Sequence, residues 1–482
     1  MGDLKLNKAV TSIALAGILL AAAISVVGAG AFAGGPRTSA EPVPTEPDAP
    51  EHLPETPEVD AKWTMLVYLD GDNNLESDAL DDLKEMEEIG SKNGVNVVVL
   101  MDTLTLIGGT HWYFLGEGNT HVDMDAGFHH CDCELVTGTE CPGELNMGDG
   151  PTLTYFVERA TAFAPAENYM LVLWDHGGGW YGVCWDDSSE MFPGSGRVDR
   201  LTIDEAANAL YDAGLGPDGE KLSIIGFDAC LMSMVEIAYE NRDLADYMLA
   251  SVTSIPNAGW DYTPILENLT TDPDMGAVDL GYVVVDSYVE YYSMCNGNGL
   301  KGMNWAGLSL LDLSKIPDLA LGPEGDGGLN ALAEALMPYT TNYSYRGDII
   351  SALQSLTPLV QTYGQQFAFI DIGVFLSLLG EKIPALGNIT SDVSALLEPA
   401  VLYVRYVSGE MSGPTINTNG LTVYFPVAYY FTYEDYSFET YEESEAAGAL
   451  PYYGLDFCSD TQWDEFILAF SMAYTEDADE ET

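Results

Sequence analysis

Four short apolar runs constrain this chain most: Trp63–Leu69, Val95–Met101, Tyr169–Trp174 and Leu222–Phe227. Each is rich in β-branched or aromatic residues and is short enough to be a buried strand. The residues between them carry the helical spacing instead. Leu75, Leu80, Leu83 and Met86 share a helix face; Pro151–Phe163 begins with proline where a first helical turn accepts it; Ile203–Tyr211 is a third helix. Strand, helix, strand repeated with apolar strands predicts a parallel sheet covered by helices on both faces. Tyr247–Ala250, Trp305–Leu311 and Leu421–Phe425 read as further strands, the last ending at Pro426. Asp279–Tyr292, Leu329–Leu336 and Ser391–Val404 read as helices, with Pro399 kinking or splitting the last. The expected fold class is α/β: a mostly parallel sheet flanked by helices on both faces, with an additional C-terminal subdomain.

Two of these strands end in residues that carry chemistry. Leu222–Glu236 reads LSIIGFDACLMSMVE, and after the strand the apolar residues Leu231, Met234, Val235 and Ala238 have i, i+3, i+4, i+7 spacing. The pattern puts Cys230 on a strand-to-helix corner. Backbone N–H groups and the helix dipole at such a corner are expected to lower a thiol's pKa. Upstream, Tyr169–Trp174 runs into Asp175-His176-Gly177-Gly178-Gly179-Trp180. In an open parallel sheet, ligands bind beyond the carboxyl ends of the strands, so neighbouring strands would bring His176 and Cys230 to one crevice. A thiol and an imidazole there are the minimum for acyl transfer, with Gly177 and Cys230 offering backbone N–H groups to an oxyanion. The bland alternative makes Cys230 a small core residue and His176 part of a glycine turn.

Composition narrows the partners and the compartment. Sixteen Lys and Arg stand against 76 Asp and Glu, a formal net charge of −60. Nucleic acid is excluded as a partner, because phosphate binding needs clustered basic residues. The acid excess suits a solvated surface in high salt or outside the cell, and it would also attract divalent cations or basic substrates. Lys5 and Lys8 precede an uncharged apolar stretch, Ala9–Ala33, that ends in Ala31-Phe32-Ala33. Residues 1–33 therefore read as a signal peptide, or as an N-terminal membrane anchor if uncleaved. Either way the folded part is expected to be secreted or at the cell surface. Residues 34–60 form a Pro/Glu-rich linker, 61–330 the catalytic domain, 331–475 the C-terminal subdomain, and 476–482 an acidic tail.

Seven cysteines leave one unpaired, and in an exported chain an odd cysteine suggests a free thiol. With Cys230 set aside, Cys131, Cys133, Cys141, Cys184, Cys295 and Cys458 could pair as disulfides. His129-His130-Cys131-x-Cys133 with Cys141 reads as a disulfide-stapled insertion or, alternatively, a zinc site. A metal-dependent hydrolase built on that region is a rival reading. No G-x-S-x-G, H-E-x-x-H or GxxxxGK[ST] occurs. Asp70-x-Asp72-x-Asn74 resembles the start of an EF-hand loop, but Leu75 stands where glycine is needed and no Glu follows at position 12.

WDHGGGW at 174–180 together with FDACLM at 227–232 resembles the clostripain-like cysteine peptidases of the caspase-like superfamily. Tyr68–Leu75, GELNMG at 143–148, PNAGWDY at 256–262 and GLTVYFP at 420–426 extend the resemblance over nearly everything after the linker. It implies a caspase-like fold and a cysteine endopeptidase with His176 and Cys230 as its dyad, acting on protein or peptide substrates after Arg or Lys. Asp228 matches an acidic residue of the family's specificity pocket, and is expected to point away from Cys230 into that pocket. The resemblance further implies calcium as a structural or activating ion, no cofactor for the chemistry itself, and activation by self-cleavage, for which Arg197 and Arg200 are the basic residues of the 186–200 segment. Family members carry acidic residues before the Gly-Trp, where this chain has Val252, Thr253, Ser254, Ile255 and Ala258. That departure weakens the expected basic specificity. A catalytically silent binding or surface protein that keeps the fold is the alternative.

Overall fold

The computed structural model describes residues 60–104, 109–116, 120–123, 144–190, 198–217, 219–294, 306–340, 369–407, 418–425 and 452–470, with positions 57, 347 and 349. The expectations for residues 1–33, the 34–60 linker, the His129–Cys141 insertion, Arg197 and the acidic tail lie outside the described residues. No described helix is long and apolar enough to cross a membrane.

Thirteen strands are described: β1 (Ala61–Gly71), β2 (Val95–Thr103), β3 (His111–Gly116), β4 (Thr120–Asp123), β5 (Ala166–Trp174), β6 (Val183–Glu190), β7 (Val198–Leu201), β8 (Leu222–Asp228), β9 (Ala245–Ala250), β10 (Gly307–Asp312), β11 (Phe369–Asp371), β12 (Val401–Tyr406) and β13 (Thr422–Tyr424). Nine form one sheet in the order β12-β10-β9-β8-β5-β1-β2-β3-β4. Its centre, β9-β8-β5-β1-β2, is parallel; β10 and β12 on one side and β3 and β4 on the other are antiparallel. The mostly parallel sheet flanked by helices is the architecture that the apolar runs imply.

The alternation of side chains along a strand assigns each to one of two cores. On β1, Trp63, Met65, Val67 and Leu69 enter one core with Leu83 and Met86 of helix Glu76–Ile89 and Val284 and Tyr288 of helix Ala277–Met294. Leu66 and Tyr68 enter the other, against Phe156 of helix Gly150–Phe163 and Leu210 of helix Ile203–Asp212. The second of these helices starts with a full capping box, Thr202 and Glu205 satisfying each other's backbone N–H.

Several local expectations change. Helix Gly387–Ala400 carries Pro399 near its end, and Val401–Tyr406 continues as β12 rather than as helix. Proline at that point removes a backbone donor from the last turn, and the chain leaves in extended form. The described ends of the 186–200 segment belong to the antiparallel β6–β7 ribbon. The C-terminal part is continuous with the sheet: β12 pairs with β10, Thr422 bridges to Met234, and Phe425 and Trp463 lie in the same core as Leu210. Cys184 and Cys458 are buried free thiols, so neither joins the disulfides suggested by the cysteine count.

Candidate active site

Strands β5 and β8 are parallel neighbours, with Trp174 in register with Asp228. The residues immediately after both strands therefore emerge side by side. His176, Gly177 and Cys230 line one cavity of about 270 Å³ with Asp175, Asp228, Leu231, Ser254, Ile255, Pro256, Asn257 and Gly259. The two chain segments touch there. A Cβ on Gly177 would lie 2.2 Å from the carbonyl oxygen and 2.8 Å from the amide nitrogen of Cys230, so only glycine permits this approach. Gly177 also forms a bridge with Val183 whose hydrogen bonds run from Gly178 N–H to Gly182 O and from Cys184 N–H to His176 O. The bridge thus leaves the Gly177 N–H uncommitted beside Cys230.

The corner at Cys230 differs from the expected one. The helix begins at Val235, not directly after the cysteine. Ala229–Met234 is a turn in which Leu231 takes φ 68° and donates its N–H to Thr253 O, while Ser233 N–H bonds to Ser251 O. The left-handed conformation of Leu231, directly after Cys230, is strained for leucine. With the helix displaced, its dipole does not lower the thiol's pKa. Burial pushes it up instead, opposed by the Ile255 N–H, which donates to Sγ at 3.2 Å, and by the Ser254 side chain. Burial also lowers the pKa of His176. At neutral pH the resting pair is a thiol and a neutral imidazole.

The imidazole is oriented from the β1 end. His176 Nε2–H donates to Asn74 Oδ1 at 3.0 Å, which leaves Nδ1 as the basic nitrogen. Asn73, the preceding residue, donates from Nδ2 to Asp175 Oδ1 at 2.7 Å and to Trp185 O at 3.0 Å. Sequence reasoning compares the DGDNN segment only with an EF-hand loop, which it does not match, and misses this role. The clue was available: the segment follows β1, the strand beside β5, so it must emerge next to His176.

Asp228 is buried, with Oδ2 accepting from Trp260 N–H at 2.9 Å and Tyr262 OH at 3.1 Å. Its Oδ1 has no hydrogen-bond partner. Burial raises its pKa to about 7 despite those donors, and Glu85 adds to the rise. Asp82 lies close by: its Oδ2 and that of Asp228 are each 2.7 Å from where a Cβ on Gly259 would sit. Trp174 Nε1–H donates to Asp82 at 2.6 Å, and burial followed by the Asp228 charge raises the Asp82 pKa. The acidic residues lacking at 252–258 are thus partly matched by carboxylates from another element. Arg200, expected as a self-cleavage point, is buried; its Nε–H donates to Tyr181 O at 2.9 Å and its guanidinium stacks 3.6 Å from the Tyr181 ring centre. A protease cannot reach it without unfolding β7.

A mostly parallel sheet with histidine-glycine and cysteine at adjacent strand ends defines a caspase-like α/β protein. The model of the clostripain family matches residues 67–470, and the chain belongs to that family. Clostripain of Hathewaya histolytica is 29% identical over 231 residues, which are 43% of this chain and 42% of clostripain, so the match spans under half of that relative's length. The fold is shared with a secreted C11 cysteine protease of Bacteroides thetaiotaomicron solved with an irreversible peptide inhibitor (TM-score 0.52, 22% identity, 80% of this chain and 99% of that one). It is shared too with an inactive zymogen C11 protease of Parabacteroides distasonis (TM-score 0.52, 19% identity, 85% and 99%).

Proposed function

We propose that this protein is an exported cysteine endopeptidase in which Cys230 is the nucleophile and His176 the general acid and base. One observation carries the reading: His176 and Cys230, from separate strands, line one cavity whose only sterically allowed neighbour at position 177 is glycine. The thiol proton passes to His176 as sulfur attacks the scissile carbonyl carbon and a C–S bond forms. The oxyanion is held by the N–H groups of Gly177 and Cys230. His176 then gives the proton to the leaving amine, the C–N bond breaks, and an acyl-enzyme remains. Water, deprotonated by His176, attacks the thioester and releases the acid and the free thiol.

Asp228 supports cleavage after Arg or Lys. Asp228 lines the same cavity and its Oδ1 has no partner, so a substrate guanidinium or ammonium that reaches it would supply the missing donor and hold the carboxylate charged. The charged, apolar and Ala-x-Ala pattern of residues 1–33 supports export, with any membrane attachment confined to that segment. N-terminal sequencing of the secreted protein tests that part; a start at Met1 would refute cleavage.

The enzyme assay uses fluorogenic peptides that differ only at P1, with wild type and Cys230→Ala. Wild type is expected to cleave after Arg and Lys, and the variant to lose on the order of 10⁴-fold in kcat/KM. Equal cleavage by both proteins would remove Cys230 as nucleophile and favour a metal-dependent route. No cleavage by either would favour a binding protein.

A further inference from the structure

The loop after His176 is held at its tip by residues that the proposed chemistry does not use. Its base is closed by hydrogen bonds from Gly178 N–H to Gly182 O and from Cys184 N–H to His176 O, and its tip is the single turn Gly179–Tyr181. Close packing demands glycine at two of its positions. Gly177 abuts the Cys230 backbone, and Gly179, at φ 65°, has the Phe369 ring 2.6 Å and Met234 Sδ 2.7 Å from where a Cβ would sit. Three successive glycines meet that demand, but they also leave the backbone beside the imidazole many conformations to lose. Trp180 supplies the restraint. Its half-buried indole lies edge-on to Tyr424 at 5.3 Å and to Tyr452 at 5.1 Å between ring centres, and those two rings are 4.7 Å apart.

The aromatic seat belongs to the C-terminal part of the chain, and the same part grips the Cys230 turn. Tyr424 N–H and the Tyr452 hydroxyl both donate to Glu236 Oε1 at 2.8 Å, and Trp463 Nε1–H donates to Tyr424 O at 2.8 Å, so both rings have fixed places. Glu236 lies on the helix Val235–Glu240 that follows the Cys230 turn. Nearer the nucleophile, Ser233 O accepts from the Thr422 N–H and hydroxyl, each at 2.9 Å, and the Ser233 hydroxyl donates to Gly420 O at 2.7 Å. One short segment, 420–424, thus joins the histidine loop to the cysteine turn. We propose that Trp180 is a positioning residue for the dyad: seated against Tyr424 and Tyr452, it holds the His176 loop where the imidazole can take the thiol proton. Proton transfer needs the heavy atoms about 3 Å apart, and a glycine loop without an anchor spends little time in that geometry. The proposal rests on the Cys–His reading and gives the C-terminal residues a part in it.

The test reads the thiol itself as well as hydrolysis. Alkylation of Cys230 by iodoacetamide, followed on the full-length protein by mass spectrometry of the Cys230 peptide, is measured between about pH 5 and pH 9 in wild type, His176→Ala, Trp180→Ala and Trp180→Phe. Peptide cleavage by the same proteins gives kcat and KM. In Trp180→Ala the alkylation rate at neutral pH should fall about tenfold and its profile should move to higher pH, toward that of His176→Ala. Its kcat should fall about tenfold with KM changed less than about twofold. Trp180→Phe keeps a ring in the seat and should recover most of both losses. A merely structural role would lower the thermal midpoint but leave the alkylation profile, and kcat per alkylatable site, as in wild type; that result would overturn the proposal. If Trp180→Ala does not fold, which circular dichroism checks, Tyr452→Leu removes one wall of the seat from outside the loop and carries the same expectation and the same refutation. The dyad and the seat fail separately. His176→Ala alkylated like wild type would remove His176 as the base and the seat's role with it, whereas a slowed His176→Ala beside an unaltered Trp180→Ala would leave the dyad standing and overturn the seat alone.

Discussion

Two groups of buried carboxylates near the strand ends are held differently. Asp228 and Asp82 sit beside the cavity and are held by neutral donors: the Trp260 N–H, the Tyr262 hydroxyl and the Trp174 indole. Asp228 lines the cavity, and its Oδ1 has no hydrogen-bond partner. Asp70, Asp72, Asp102 and Asp186 are sealed inside, with four unpartnered oxygens among them. Burial carries the pKa of Asp228 and of Asp186 to about 7 and that of Asp102 to about 8, so pKa alone does not separate the groups. Position does: Asp228 lines the cavity and none of the other four does. A carboxylate beside a cavity can be met by a substrate's charge, whereas one in the interior needs protons or a counter-charge that stays.

Four results would break or sharpen that contrast. The largest effect is expected from Asp228→Asn. If Oδ1 receives the substrate's cation, kcat/KM for P1 Arg should fall about 100-fold, roughly 2.7 kcal/mol, with little change for P1 Ala. An equal loss for both peptides would assign Asp228 to support of Trp260 and Tyr262 instead. Next is Asn74→Ala, which removes the acceptor of His176 Nε2–H. Its kcat should drop about tenfold with KM unchanged, as for a positioning residue. A change in KM alone would place Asn74 against substrate.

The third concerns pH. The pKa of Asp228 is raised to about 7 in the free protein, so lowering the pH through that value protonates it and removes the attraction for a basic P1 side chain. KM for P1 Arg should rise severalfold between pH 8 and pH 6 while KM for P1 Ala stays level; parallel curves would sink the assignment. The smallest effect is on stability. Glu236 accepts from Tyr424 N–H and the Tyr452 hydroxyl, yet burial raises its pKa from 4.5 to about 7. The folded state therefore holds a proton that the unfolded chain releases above about 4.5, so stability falls as pH rises from there to about 7. Glu236→Gln should flatten this slope in urea titrations by about 1–3 kcal/mol across the window. An unchanged slope would show that Glu236 is ionised in the folded protein.

Much of the architecture was legible along the chain, because a strand buried on both faces reads as an apolar run and a helix as a 3.6-residue period. Trp63–Leu69, Val95–Met101, Tyr169–Trp174 and Leu222–Phe227 all lie within observed strands. The errors fell where period is uninformative. Leu231, Met234 and Val235 have helical spacing, but Leu231 adopts φ 68° and the helix waits until Val235. Local spacing cannot register the pull of Thr253 O and Ser251 O on that turn. Ser391–Val404 erred for a similar reason, since β12 is strand only because β10 offers it an edge.

By itself, the sequence determined which residues could do chemistry and at which strand ends they stand. His176 follows one apolar run and Cys230 another, and in a parallel sheet both must emerge at the same edge. Only the tertiary structure decided what surrounds them. That the thiol is raised rather than lowered depends on burial and on a displaced helix. That Asn74 reaches His176, that Asp82 backs Asp228, and that Asp72 meets Asp102 and Asp186 depend on strand order. Electrostatics and hydrogen bonding act over a few ångströms of space, and residues brought that close by a sheet are far apart along the chain.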